Sequence, residues 1–308
     1  MADINNYSLL IVGGEGFIGK YLADIASKKK YDVTIITSRD YPSSLKKICK
    51  VICCDICDRE KLLEKLKNKE FNYVINCSGS IEHDSFNNGG RKYIDQHFSG
   101  VLNLIESINK KYLKSFIQLG SSDEYGFNEA PQTELQRESP ISPYSLGKAA
   151  STHFLQMLHR QEDFPVIIFR LFLVYGPGQS LNRFIPYTIN ACLEDITFPV
   201  SRGEQLRDFC YIEDITDALL SSLDNCDLIG EVINIASGQP ISIKMMVKKI
   251  QDLTGSGNPD FGKIDYRVGE NMRLYANIEK AKKILNWSPS ISHDEGLKRT
   301  IDYYKNQK

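Results

Sequence analysis

Residues 7–29 constrain what this chain can fold into more than any other stretch. Tyr7-Ser8-Leu9-Leu10-Ile11-Val12 is a short apolar run and reads as a buried strand. Gly13-Gly14-Glu15-Gly16-Phe17-Ile18-Gly19 follows at once, and an amphipathic pattern continues to about Lys29. Glycines at 13, 16 and 19 let backbone N–H groups approach a pyrophosphate at a helix N-terminus. A glycine triplet alone carries little information. Strand, glycines and helix in that order point to a nucleotide-binding α/β fold, with Gly13, Gly16, Phe17, Ile18 and Gly19 as its first cofactor contacts.

The alternation continues downstream. Asp32-Val33-Thr34-Ile35-Ile36 reads as a second strand, whose end should reach the adenosine ribose. An acidic residue there would select NAD. The chain instead has Thr37-Ser38-Arg39, and two hydroxyls with a guanidinium suit a 2′-phosphate, so NADP(H) is the favoured expectation. NAD(H) is the alternative if Arg39 is only a solvated loop residue. Val51-Ile52-Cys53-Cys54 reads as the third strand and brings Asp55, with Ile56 beside it, to the adenine edge. Residues 59–69 form a charged helix, and Tyr73-Val74-Ile75-Asn76-Cys77 is the fourth strand. Ser78 and Gly79 then offer the close backbone approach that a cofactor needs. His83, between Glu82 and Asp84, reads as a surface-loop histidine, with substrate contact as the alternative.

Residues 93–110 read as one helix with apolar side chains at 94, 98, 101, 102, 104, 105 and 108. That is a broader face than one sheet contact needs, and it suggests a second partner such as another subunit. Phe116-Ile117-Gln118-Leu119 is the fifth strand and residues 166–171 the sixth. Ser121 then lies at the C-terminal edge of the sheet, where ligands of open parallel sheets gather. The order of elements loosens afterwards, with residues 255–259 as a loop and residues 231–235 as a strand rejoining the first sheet. The expected architecture is α/β: a Rossmann-like doubly wound parallel sheet over residues 1–180, with 209–240 returning to it, and a smaller α/β substrate domain over 181–308.

Tyr144-Ser145-Leu146-Gly147-Lys148 is the candidate for chemistry. On a helix, tyrosine and lysine four apart share one face. An ammonium beside a phenol favours the phenolate, which makes the tyrosine a usable acid or base near neutral pH. The spacing alone is nearly worthless. With 16 tyrosines it is expected by chance, and Tyr304 and Lys308 repeat it at the tail. Position lifts the first pair, because it follows a helix entry at Ser139-Pro140-Ile141-Ser142-Pro143 and the glycine-bounded run Gly120-Ser121-Ser122-Asp123-Glu124-Tyr125-Gly126.

Composition removes other classes. A net charge of −1 gives no general attraction to nucleic acid or anionic membrane. No run of 18 apolar residues occurs, and the start of the chain lacks a signal-peptide core, so a cytoplasmic location is expected. The eight cysteines then read as reduced thiols, and their spacing suggests no metal site.

Together these motifs are specific. The chain resembles the extended short-chain dehydrogenase/reductases that act on nucleotide sugars, over nearly its whole length. The resemblance rests on residues 13–19 and 120–126, Tyr144 to Lys148, and the run Arg170-Leu171-Phe172-Leu173-Val174-Tyr175-Gly176-Pro177-Gly178-Gln179. Arg207-Asp208-Phe209 and Leu285-Asn286-Trp287-Ser288-Pro289 complete it. It implies a nicotinamide cofactor, a nucleotide-diphosphate sugar as substrate, and a homodimer. It also implies a Ser/Thr–Tyr–Lys site falling on Ser121, Tyr144 and Lys148, where Lys148 holds the nicotinamide ribose. Ser122 and Asp123 would lie near the sugar, and Arg183, Arg207 and Arg273 are its candidate substrate contacts, with a structural ion pair the alternative for Arg207 and for Arg273. Two positions depart from the family pattern. The triplet Thr-Asp-Glu of 4,6-dehydratases aligns with Ser121-Ser122-Asp123, which leaves a serine at the proton-donating position. His97 also stands where the family often has asparagine. The wording around Ser121 and Arg183 is similar to reductases of 4-keto-6-deoxy sugar nucleotides. NADPH-dependent 4-keto reduction is therefore the expected reaction. A 4-epimerase or 4-dehydrogenase with retained NAD is the alternative, and a non-catalytic nucleotide-binding regulator is a remote third.

Overall fold

The structure is a computed structural model and describes residues 7–38, 43–267 and 269–307, without the side chains of Ser43 and Ser44. The expected contact at Arg39 lies outside the described residues. The chain forms two compact units, Met1–Gly126 with Arg137–Arg170 and Thr216–Ile233, and Phe127–Gln136 with Leu171–Ile215 and Asn234–Lys308.

The first unit opens with β1 (Ser8–Val12), α1 (Phe17–Lys28), β2 (Asp32–Thr37), the single turn α2 (Ser43–Lys46) and β3 (Lys50–Cys53). Next come α3 (Arg59–Leu66) and β4 (Tyr73–Asn76). The side chain of Asp58 caps α3 by accepting from the Lys61 amide at 3.2 Å. A continuous helix then runs through α4 (Arg91–Ile94), a π-helical turn (Asp95–Ser99) and α5 (Gly100–Ser107). Strand β5 (Ser115–Ser121), the long helix α6 (Pro143–Glu162) and β6 (Val166–Leu171) follow.

The π turn corrects the regular helix read over 93–110. The Gly100 amide bonds back five residues, to the Asp95 carbonyl. Each such insertion adds a residue to one turn and rotates the face that follows. Part of the breadth of the apolar face therefore comes from this rotation. Tyr93 and His97 are buried before or within the inserted turn, and Val101, Leu104 and Ile105 are buried after it.

The chain continues through β7 (Leu173–Tyr175), α7 (Phe184–Leu193), β8 (Thr197–Val200), β9 (Leu206–Tyr211), α8 (Ile212–Ser221) and β10 (Val232–Ile235). It ends with β11 (Pro240–Ser242), α9 (Ile243–Thr254), β12 (Asn258–Phe261), β13 (Arg273–Leu274) and α10 (His293–Lys305).

Strand β10 completes a seven-stranded parallel sheet in the order β10-β6-β5-β4-β1-β2-β3. Both faces of this sheet are covered, which is why Leu9 to Val12 form an unbroken apolar run with no solvent exposure. The order reverses between β1 and β4, and in open α/β sheets that reversal opens the binding crevice.

In the second unit β9 pairs with β7, β11 and β13, while β8 and β12 form a separate parallel pair. The loop read at 255–259 holds for 255–257, and the pair corrects only its last two residues, Asn258 and Pro259, which begin β12. The buried Asp208 of β9 holds the unit together. It accepts from the Ser237 amide at 2.7 Å, the Ser237 hydroxyl at 2.6 Å, the Gly238 amide at 3.0 Å and the Ala276 amide at 3.3 Å. Among the described residues no helix is long and apolar enough to cross a membrane.

Candidate active site

A groove of about 370 Å³ opens at the switch point of the sheet, lined by the ends of β1, β2 and β4 and by the residues after β3. The turn after β1 is tight. Gly13 has φ +76°, and a Cβ there would lie 2.8 Å from the Ser78 Cα. Its amide and that of Gly14 both donate to the Ile36 carbonyl, at 2.9 and 3.1 Å, which ties the turn to β2. Gly16 is the N-cap of α1, with no side-chain cap and no acidic residue in the first turn. No acidic side chain of α1's own first turn competes for its positive end, which suits a pyrophosphate, although the Glu15 carboxylate stands just before the cap.

The structure brings most of the predicted cofactor contacts to this groove. Gly13, Gly16, Thr37, Ser38, Asp55, Ile56, Ser78 and Gly79 all line it. Phe17 and Ile18 begin α1, and Gly19 packs against the turn, where a Cβ would lie 2.4 Å from the Gly13 carbonyl. Sequence reasoning missed two polar residues here. Gln96 accepts from the Ser80 amide at 3.1 Å. Glu15 accepts a short hydrogen bond from the Thr37 hydroxyl.

The candidate chemistry sits on α6. Ser142 caps this helix, accepting from the Ser145 amide at 3.1 Å, and Pro143 occupies its first turn. The cap places Tyr144 in the first turn and Lys148 one turn later, both buried. The Lys148 Nζ donates to the Leu119 carbonyl of β5 at 2.8 Å and lies 6.0 Å from the centre of the Tyr144 ring. Burial pulls its pKa down to about 8, against the opposing pull of the Glu124 charge.

Two histidine rings meet Tyr144 edge-on, each 4.9 Å away between centroids. One is His97 from the π turn. Its Nε2 lies 2.7 Å from the Ser80 carbonyl, so that nitrogen carries the proton. Burial first, and the Lys148 charge second, push its pKa down to about 3, so the ring is neutral. Gly79 makes room for it, since a Cβ there would lie 2.1 Å from the ring. The other is His83, which the sequence read as a surface-loop residue. Its Nε2 stands 3.4 Å from Asp123 Oδ2, and its loop is held by the Tyr93 hydroxyl, which donates to Asp84 at 2.6 Å. No local pattern marks this contact, because it is made across the fold.

Ser121 ends β5, and its Oγ accepts from the Asp123 amide at 3.1 Å. Ser122 is almost wholly buried, and Glu124 wholly so. Glu124 accepts from the Ser121 amide at 2.8 Å, the Thr152 hydroxyl at 2.9 Å and the Arg170 Nε at 3.0 Å.

In the second unit Arg207 is bonded to Glu270 and, at 2.8 Å, to the Leu206 carbonyl, and Asp208 accepts its bonds elsewhere. Arg273 pairs with Leu206 and Leu274 with Arg207, so the two arginines are one residue out of step and leave opposite faces of the strand pair. Arg183 is half-buried at the N-cap of α7.

A doubly wound parallel sheet with an open helix N-terminus at its switch point, and a buried tyrosine–lysine pair beside it, defines a dinucleotide-binding α/β protein. Residues 9–236 match the sequence profile of the NAD dependent epimerase/dehydratase family, and the chain belongs to that family. A UDP-glucuronate 4-epimerase of Thermodesulfobacterium geofontis is 29% identical, over 96% of this chain and 95% of its own length. A dTDP-D-glucose 4,6-dehydratase of Dictyostelium discoideum is 27% identical, over 99% of this chain and 83% of its own. The solved UDP-glucuronic acid 4-epimerase of Bacillus cereus, in complex with UDP-glucuronic acid and NAD, is 28% identical with a TM-score of 0.85, covering 98% of this chain and 100% of that one. The chain is therefore an enzyme of the nucleotide-sugar oxidoreductase type, using a nicotinamide cofactor.

Proposed function

We propose that this protein is a nucleotide-sugar 4-epimerase or 4-dehydrogenase that keeps NAD bound through its cycle. The observation that carries the reading is the pairing of a buried Lys148 ammonium with Tyr144 on one helix face, 2.8 Å from the strand that ends in Ser121. When bound, NAD supplies the hydride acceptor and donor at the sugar carbon. Tyr144 takes the proton of the C4 hydroxyl during oxidation and returns it during reduction. The ammonium of Lys148 favours the phenolate of that tyrosine. The Ser121 Oγ accepts from the Asp123 amide and so directs its own hydrogen toward the sugar oxygen. His97, neutral at physiological pH, fills the space beside Tyr144 without adding a competing charge.

Dehydration is disfavoured. Elimination needs a proton donor at the position that Ser122 occupies, and Glu124 is committed to Arg170 and Thr152. The sequence expectation of NADP-dependent 4-keto reduction is the second reading, favoured by the wording of residues 120–126 and of Arg183-Phe184-Ile185-Pro186. Support for epimerisation comes from the relatives that act on UDP-glucuronate. In the second unit, Arg207 is the proposed contact for the substrate diphosphate, exchanging the Glu270 carboxylate for phosphate oxygens. Residues 181–308 are proposed to supply substrate recognition. The proposed assembly is a homodimer.

Denaturing the purified protein and identifying the released nucleotide tests the main reading. Stoichiometric NAD, with interconversion of two 4-epimeric UDP-sugars in the absence of added reductant, is the expected result. An empty enzyme that consumes NADPH one-for-one with a 4-keto sugar nucleotide would transfer the case to the reductase.

A further inference from the structure

We propose that Glu15, a residue of the glycine turn, selects the cofactor that lacks a 2′-phosphate. The inference rests on reading the switch-point groove as the nicotinamide dinucleotide site. In such folds the adenosine ribose lies at the end of β2, where an acidic residue of that strand accepts its hydroxyl protons. Here β2 ends in Thr37 and is followed by Ser38, so the strand itself supplies no carboxylate.

The turn supplies one. Glu15 and Thr37 line the same groove, and the Thr37 hydroxyl donates to Glu15 Oε2. The other oxygen, Oε1, is buried and has no hydrogen-bond partner among the described residues. A carboxylate oxygen removed from water without a donor is held at a cost, and a ligand hydroxyl relieves that cost. The vicinal diol of an unphosphorylated ribose carries two such donors. A 2′-phosphate removes one donor and brings roughly two negative charges toward a fixed carboxylate. The geometry at the end of β2 therefore opposes NADP through both lost hydrogen bonding and like-charge repulsion. The neighbouring Ser38 hydroxyl is neutral and cannot offset that repulsion, and Arg39, the cation of this run that suits a 2′-phosphate, lies outside the described residues.

The test is direct binding of NADH and NADPH to cofactor-free protein by titration calorimetry, with no substrate and no turnover. Wild type is expected to bind NADH at least about tenfold more tightly than NADPH, the scale of one charge-assisted hydrogen bond made and one repulsion avoided. Glu15→Gln keeps the shape and removes the charge, and should reduce that preference about tenfold, chiefly by tightening NADPH. Glu15→Asp keeps the charge and should retain the preference for NADH, which separates charge from packing. The wild-type ratio is decisive even if a variant fails to fold. Wild type binding NADPH as tightly as NADH, or a folded Glu15→Gln with an unchanged ratio, overturns the proposal and leaves the reading of the groove intact. Wild type binding neither cofactor overturns both.

Discussion

Replacing Lys148 with methionine should abolish turnover while leaving the fold no less stable at neutral pH. The ammonium is almost fully buried, and burial lowers its pKa from 10.5 to about 8. That difference corresponds to roughly 3 kcal/mol of destabilisation from holding the charged form inside the folded protein. Methionine fills a similar volume without a charge. The substitution also removes the hydrogen bond to the Leu119 carbonyl, a loss of about 1.5–3 kcal/mol for a charged donor. The two terms nearly cancel at pH 7, so pH dependence is the sharper readout. Below pH 8 the lysine is protonated both folded and unfolded, and wild type bears the whole cost. Between about 8 and 10.5 the unfolded chain keeps its proton and the folded protein releases it, so wild-type stability rises by about 1.4 kcal/mol per pH unit from this group. The difference Lys148→Met minus wild type should therefore move against the variant by roughly 2–3 kcal/mol between pH 7 and pH 10. Urea unfolding of cofactor-free protein at four pH values measures it, since bound cofactor would stabilise the two proteins unequally. Parallel stability curves, or a variant weaker by more than about 3 kcal/mol at pH 7, would refute the assignment of a buried, strained ammonium.

Tyr144→Phe keeps the ring between the two histidines, so cofactor binding should persist while turnover falls by about 10²–10⁴-fold or more; near wild-type turnover would remove Tyr144 from the reaction. His97 has a folded pKa of about 3 against an ordinary 6.5, so its contribution is intact above pH 6.5 and is lost as the pH falls toward 3. His97→Asn retains a donor for the Ser80 carbonyl and should flatten acid unfolding by about 1.4 kcal/mol per pH unit across that window, measured by denaturation between pH 4.5 and 6.5. Leu146 and Met157 of α6 are 48% and 38% exposed, and Phe98 and Phe154 lie half-buried beside each other. A homodimer should cover this apolar surface, and light scattering at micromolar concentration should return twice the monomer mass of 35.0 kDa.

The first unit was legible because its signals are local. β1, the glycine turn and α1 announce themselves by an apolar run, three glycines and an amphipathic period, and the four-residue step from Tyr144 to Lys148 survives intact on α6. What the sequence concealed depends on contacts between distant residues. The pair of β8 and β12 joins Thr197–Val200 to Asn258–Phe261, and each strand contains a proline, which argues against a strand when read alone. The π turn at Asp95–Ser99 has no compositional mark, because one inserted residue changes only the hydrogen-bond register. His83 is an exposed loop residue, as its position in the sequence suggests, but the contact of its ring with Tyr144 is made only by the folded loop. Glu15 was hidden by the glycines around it. Its bond to Thr37 crosses from the turn to β2, and a motif read residue by residue does not contain that information.

The acidic pair Asp123-Glu124 shows how one short run can divide between chemistry and structure. Glu124 has no solvent exposure, and such a carboxylate stays charged only if it is paired and hydrogen-bonded. Its oxygens are taken by the Ser121 amide on β5, the Thr152 hydroxyl on α6 and Arg170 on β6, and Arg170 passes the contact on to Glu138. Gly120 is required beside it, since a Cβ there would stand 2.6 Å from Glu124 Oε1. This one side chain thus ties the strand that carries Ser121 to the helix that carries Tyr144 and Lys148. Turning it toward a substrate would break one or more of these bonds and leave a buried amide, hydroxyl or guanidinium N–H short of its acceptor, so Glu124 is assigned to structure. Asp123 remains as the acidic group of the run nearest the reaction, and its neighbour is His83 rather than a second carboxylate. On the proposed reading Tyr144 exchanges one proton with a sugar hydroxyl and Ser121 orients that hydroxyl, while Glu124 is committed to its structural partners. That set of groups fits reversible oxidation at a single carbon better than elimination.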